Sequence, residues 1–276
     1  MAEIMFPLSN DVVFEFVMRD LELAKRVVEV ALDIKVDHVE RHETQDVLSS
    51  SAYGKRIRLD VYLEADDSCF DVEMQTARSK DLGLRLRAYQ SLIDSSILAN
   101  GDEFGELKRS YIIFFCDFDP FSEELPTYTF EPMCAESRRP KLPTRQSWML
   151  FNAKAWMREP RGDISSLLEL IAEGNCGASG GTELTYELEM AVARANAKKD
   201  VRENAMISME KKREMEVLYE CEERFDEGKA EGEAIGEAKM AYLASRMLED
   251  DRTEELAEAA KDIELRKRLM AEYRIR

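Results

Sequence analysis

Two alternating stretches, IRLDVYLE over 57–64 and CFDVEMQT over 69–76, flank a short polar break at Ala65-Asp66-Asp67-Ser68. Period-two alternation on both sides of such a break predicts a β-hairpin. One register satisfies both strands. With the turn centred between Asp66 and Asp67, Leu59 opposes Met74, Val61 opposes Val72 and Leu63 opposes Phe70, which makes one apolar face. On the other face Arg58 opposes Gln75, Tyr62 opposes Asp71 and Asp60 opposes Glu73. A slip by one residue would turn the apolar set outward, so the register is strongly constrained. It sets two carboxylates across from each other with Cβ atoms roughly 4.5–5.5 Å apart. Like charges so placed need compensation. Spacing leaves two sources open: a divalent cation with hard oxygen ligands, or a solvated face where Arg58 pairs with the acids.

The hairpin is set among helical segments. Residues 9–33 carry Val12, Val13, Phe16, Val17, Leu23, Val27, Val28 and Leu32 near helical spacing behind a Ser-Asn-Asp cap, and 80–99 return to that period. Tyr111–Cys116 is a short apolar run, expected to be a strand buried on both faces. A proline-rich stretch from Pro120 to Pro143 predicts loops and edge pieces before a further strand at Trp148–Phe151. Residues 174–182 read as a glycine-rich linker between a domain at 1–173 and a helical region at 183–276. That region contains no proline and is expected to be helical over about 183–248 and 252–273. Gly228, Gly232 and Gly236 recur every four residues, either as a close-packing seam or as a weak point of a charged helix.

Composition narrows the function classes. The 276 residues carry a formal charge of −18, spread over both halves of the chain, which disfavours wholesale coating of nucleic acid or an anionic membrane. No apolar run approaches membrane-spanning length and the N-terminus lacks signal-peptide character, so a cytoplasmic protein without a membrane partner is expected. Five cysteines at 69, 116, 134, 176 and 221 are scattered and odd in number, which fits reduced thiols. His38 and His42 stand four apart but lack an evident third ligand.

Asp60 followed by Glu73-Met74-Gln75 resembles the D…(D/E)-x-K site of the PD-(D/E)XK nuclease superfamily. More narrowly, the sequence is similar to the Rpn-type recombination-promoting nucleases, also described as transposases of that superfamily. The matching pieces run in order: Ser9–Phe14, Arg58-Leu59-Asp60-Val61, Val72–Gln75, Arg87-Ala88-Tyr89-Gln90-Ser91, and Ile112–Pro120, with the Glu-Gly repeats of the tail. The likeness spans residues 5 to about 155 well and the tail in style.

The resemblance implies an α/β fold, a restriction-endonuclease-like mixed sheet flanked by helices, followed by the long helical C-terminal region. It implies a metal-dependent DNA endonuclease linked to recombination or mobile elements. Asp60 and Glu73 would hold Mg²⁺, with Mn²⁺ as a second candidate, and Asp60, Glu73 and Gln75 would be the catalytic set. Gln75 stands where the superfamily usually has lysine; it can orient by hydrogen bonds but cannot take a proton, so water activation would rest on the metal. Asp11 is either a third ligand or, with Asn10, a helix cap. Arg87, Arg58, Tyr89 and Arg78 are the expected substrate-binding residues, within a cluster that also holds Lys80, Arg85, Lys55 and Arg56. For Arg85 a solvated helix face is the favoured reading. Glu15 replaces a lysine usual in related sequences, which weakens an N-terminal phosphate contact. A homodimer through the C-terminal helices, in a coiled-coil manner, would bring two sites together. The competing reading is a catalytically silent nuclease fold that acts as an interaction protein through those helices.

Overall fold

The computed structural model describes residues 5–48, 57–65, 67–98, 101–178, 180–260 and 262–275. Lys55 and Arg56 lie outside them, as do the side chains of His42 and Arg58. The helical run at 9–33 is two helices. Asn10 caps α1 (Asp11–Met18) by accepting from Val12 N and Val13 N, and Asp20 caps α2 (Leu21–Leu32) in the same way. The break falls at Arg19-Asp20 because the Asp20 carboxylate takes the first N–H groups of the next helix.

Strands β1 (Val39–Leu48), β2 (Ile57–Ala65) and β3 (Ser68–Gln75) form an antiparallel meander. After α3 (Leu82–Ile97), β4 (Arg109–Cys116) lies parallel to β3, and β6 (Gln146–Asn152) lies parallel to β4. The proline-rich stretch contributes the short antiparallel edge strand β5 (Thr127–Phe130). Among the described residues the six strands make one sheet in the order β1-β2-β3-β4-β6-β5. This is the mixed sheet with flanking helices expected of a PD-(D/E)XK fold.

Both faces of the sheet are covered. Val61, Leu63, Phe70, Val72, Met74, Ile113 and Phe115 share a core with side chains of α1, α2, α4 (Gly162–Glu173) and α5 (Glu183–Ala197). Leu59, Tyr62, Cys69, Ile112 and Phe114 share a second core with Leu82, Leu86, Tyr89 and Ile93 of α3. The face expected to be polar is thus buried under α3. The register expected for the hairpin holds at Val61↔Val72, Tyr62↔Asp71 and Leu63↔Phe70, but among the described residues the ladder does not continue to Asp60 and Glu73. Leu59 and Val61 belong to different cores, so alternation breaks at Asp60.

The chain divides into compact units at Met1–Glu216 and Val217–Arg276, not within 174–182. The reason is packing: Leu184, Leu188, Ala191 and Ala195 of α5, with Val201 and Ala205 of α6 (Lys199–Glu249), are buried in the sheet's own core. Asn196 ties this helix to the N-terminal segment, accepting from Phe6 N at 2.7 Å and donating to Phe6 O at 2.9 Å. In the second unit Leu243, Met247, Ala259 and Leu269 form a small core of α6, α7 (Thr253–Ala259) and α8 (Ile263–Glu272). A Cβ on Gly228, Gly232 or Gly236 would meet open space, so among the described residues no intrachain seam uses them.

Asn196→Ala strands the buried N–H and C=O of Phe6. We expect a loss of about 1–3 kcal/mol, read by urea unfolding of the full chain. An unchanged midpoint would show that α5 is not held to the N-terminus in this way.

Candidate active site

Where β2 parts from β3, each strand's backbone is satisfied by a carboxylate of the other. Asp60 N donates to Glu73 Oε1 at 2.8 Å, and Met74 N donates to Asp60 Oδ2 at 3.3 Å. The two acids therefore replace ladder hydrogen bonds that the splayed strands cannot make. Glu73 is almost fully buried, while Asp60 is half-buried.

Beside them Asp71 is fully buried, and among the described residues no hydrogen bond from a donor reaches either of its carboxylate oxygens. Burial, then the charge of Asp60, pushes the Asp71 carboxyl well above the usual range. Burial and the charges of Asp60 and Asp71 push Glu73 up in the same way. A buried carboxylate costs free energy, and Asp60 with Glu73 carries the hard oxygen donors suited to a divalent cation, which takes one or two carboxylates plus water. Among the described residues no three acidic, His or Cys side chains stand ready to close around an ion. Asp60 and Glu73 each accept from the opposing strand's backbone through one carboxylate oxygen.

Among the described residues, the cation that faces these acids is Arg85, on α3. Its Nη1 donates to Gln75 Oε1 at 2.6 Å and its Nη2 to Tyr89 Oη at 3.1 Å, with Nη2 3.8 Å from Glu73 Oε2. Burial opposes its charge, but Tyr89, Glu73 and Asp60 outweigh that and hold the guanidinium more firmly protonated than usual. Gln75 is engaged at both ends, because its Nε2 also donates to Ala77 O. Tyr89 Oη lies 3.5 Å from Glu73 Oε2, and burial pushes its phenol upward.

Asp60 also lines a cavity of about 530 Å³ with Asp11, Glu15, Arg19, Ser208 and Lys211. Asn10 carries the cap through its side chain, while Asp11 accepts from Ser208 Oγ of α6 and from Val12 N. Asp11 thus shares a cavity with Asp60 but is not drawn into a three-ligand cluster with Glu73. Glu15 is buried and paired with Arg19 at 2.7 Å. Lys212 reaches Asp117, just beyond β4, at 2.5 Å, and Asp117 N donates to Gln75 O at 3.3 Å.

The structure brings Asp60, Glu73, Gln75 and Tyr89 together. It leaves Arg87 exposed, two residues and so about 200° around the helix from Arg85. Arg78 is exposed with its guanidinium 5.7 Å from the ring centre of Phe118. His38 is exposed, and the exposed Arg87 is not among the hydrogen-bonding partners of the carboxylates. Sequence reasoning missed Asp71, whose signal is the Asp-x-Glu spacing on one strand face. It also passed over Lys211 and Lys212, marked by the Lys-Lys-Arg run at 211–213.

A mixed sheet that delivers an aspartate and a glutamate to the splayed ends of two adjacent strands is the arrangement expected of a PD-(D/E)XK fold. Residues 25–132 match the family model of the PD-(D/E)XK nuclease family transposase, and that segment contains Asp60, Asp71, Glu73, Gln75 and Arg85. The nuclease likeness is thus carried by the region that builds the site. No curated protein and no solved structure matches the chain. Among the described residues no helix is long and apolar enough to cross a membrane.

The raised carboxyls give a pH test. Folded-state values above the ordinary 3.8 of Asp71 and 4.5 of Glu73 mean that the native state binds more protons than the unfolded state above those values. Their contribution to stability is therefore retained below that range and lost as pH rises toward the folded values. In EDTA we expect the melting temperature to fall as pH rises above the ordinary carboxylate range, with Asp71→Asn flattening the fall. A slope unchanged by Asp71→Asn would remove Asp71 from this account.

Proposed function

We propose that the protein is a metal-dependent DNA endonuclease, acting in recombination or on mobile elements. The observation that carries this reading is the interlocked pair Asp60 and Glu73, with the fully buried carboxylate of Asp71 beside it. Asp60 and Glu73 would hold the ion, Mg²⁺ or Mn²⁺, with Asp11 within the cavity that Asp60 borders. When bound, the ion would polarise a phosphate oxygen and lower the pKa of a coordinated water.

The chain's own groups supply orientation and charge. Gln75 is held by Arg85 and Ala77, so what its amide can offer a water is the second lone pair of its carbonyl oxygen and the second N–H of its nitrogen. It can neither take nor give a proton there. Arg78, at the end of the sheet that carries Gln75, and Lys211, on the cavity wall, provide positive charge for a phosphodiester backbone. Hydrolysis then joins the water oxygen to phosphorus and breaks the P–O bond to one sugar. The departing alkoxide takes up a proton from solvent, and the attacking water gives one up.

The nuclease reading is tested by nicking of supercoiled plasmid. The wild type should cut with Mg²⁺ or Mn²⁺ and not in EDTA, and Asp60→Ala or Glu73→Gln should reduce cutting by about 10³-fold or more. Equal cutting by Asp60→Ala would reject the assignment.

The long helix supports a homodimer. Leu218 and Phe225 lie seven residues apart, as do Ile235 and Tyr242, and all four are exposed. They occupy a and d positions of one heptad frame that also takes in Cys221, Gly228 and Gly232. The chain should scatter light as a dimer, and Phe225→Glu with Ile235→Glu should make it a monomer. A dimer that survives both changes would place the interface elsewhere.

A further inference from the structure

We propose that Arg85 is the cationic catalytic residue of this site, supplying the positive charge that Gln75 cannot, and that Gln75 is its positioning residue. The inference rests on the nuclease reading above. Its basis is geometric. Arg85 is the donor and Gln75 Oε1 the acceptor at 2.6 Å. Ala77 O can only accept, so the Gln75 amide has one orientation that satisfies both neighbours. The amide therefore fixes the guanidinium instead of standing alone where a lysine would.

Tyr89, one turn further along α3, fixes it from the other side at 3.1 Å. The aromatic faces of Tyr89 and Phe114 lie 5.6 and 5.5 Å below the guanidinium carbon. A side chain clamped by an amide, a phenol and two rings loses little freedom when it meets a substrate. It also stays accessible: 34% of the Arg85 side chain is exposed, against 4% for Glu73. The guanidinium has five N–H donors, and its hydrogen bonds to Gln75 and Tyr89 leave donors for the non-bridging oxygens of a phosphodiester. Charge grows on those oxygens as phosphorus takes on the attacking oxygen, and a fixed donor there favours the transition state over the ground state.

A purely structural counter-ion for Glu73 would need neither the link to Gln75 nor the exposure. The two roles separate experimentally in the full-length protein with an end-labelled DNA duplex. Arg85→Ala should slow single-turnover cleavage by about 10²–10³-fold, while Mn²⁺ binding followed by electron paramagnetic resonance stays as tight as in the wild type or tightens. Added guanidinium should restore part of the rate. Gln75→Lys alone should lower activity, since two cations then crowd one position. The double variant Arg85→Ala with Gln75→Lys should recover most of what Arg85→Ala lost.

If Arg85→Ala does not fold, Arg85→Gln carries the same tests with similar bulk. Wild-type cleavage by the folded variant overturns the inference and leaves the nuclease reading intact. So does a loss of Mn²⁺ binding with no recovery from guanidinium or Gln75→Lys. A wild type that cuts no DNA with any divalent ion overturns the nuclease reading. Duplex binding in Ca²⁺ then decides for Arg85: weakening by about tenfold in Arg85→Ala keeps it as a phosphate contact, and equal binding removes it.

Discussion

The separation of β2 from β3 at Asp60 is the constraint on which the rest of the site depends. A hairpin that kept pairing would have needed no help from side chains. Once the strands part, buried N–H groups are left over and must find acceptors. Asp60 and Glu73 provide them reciprocally, so the residues that would hold an ion also hold the backbone that positions them. The arrangement gathers acidic groups in a buried place, and Asp71 adds a third, fully buried carboxyl. Arg85 offsets part of their charge but at 3.8 Å from Glu73, beyond a direct hydrogen bond. Such a concentration of buried carboxyls would favour the binding of a cation.

The total charge of −18 is therefore a poor guide to the substrate. Charge screening acts over about 10 Å at ordinary salt, so a phosphate at the site experiences its immediate neighbours more than the distant acidic helices. Those neighbours include Arg85, Lys211 and Lys212. The acidity elsewhere weakens any long-lived hold on DNA and makes encounter depend strongly on ionic strength.

Much of this could be read from the residues. Alternation in 57–64 and 69–76 fixed the hairpin register through Val61↔Val72, because the apolar sets of the two strands agree in only one alignment. The buried strand at Tyr111–Cys116 was legible from its unbroken apolar run. What could not be read was the end of the ladder, since strand separation depends on side chains taking over backbone hydrogen bonds, and alternation carries no record of that. Periodicity also could not say that the polar face of the hairpin would be roofed by α3, which turns Asp71 from a surface acid into a buried one. The choice between Arg85 and Arg87 failed for a related reason. Both lie in one basic helix, and only packing of Leu82, Leu86, Tyr89 and Ile93 against the sheet fixes which arginine faces inward.

The segment that can be recognised and the segment that can fold are different things here. The family match stops at residue 132, yet β6 at Gln146–Asn152 is the parallel neighbour of the central strand β4. The core beneath the site is closed by Leu167, Leu168 and Leu170 of α4 and by Leu184 and Leu188 of α5, all beyond the match. Phe6, before the match begins at 25, is held by Asn196. A chain cut to the recognisable region would expose most of one sheet face, together with the edge of β4, and would have little chance of folding. The helices that follow the matched segment, up to the early turns of α6, are therefore part of the same compact unit. Asp11 and Asp117 take their partners Ser208 and Lys212 from those turns, which ties the surroundings of the site to a helix the motif does not contain.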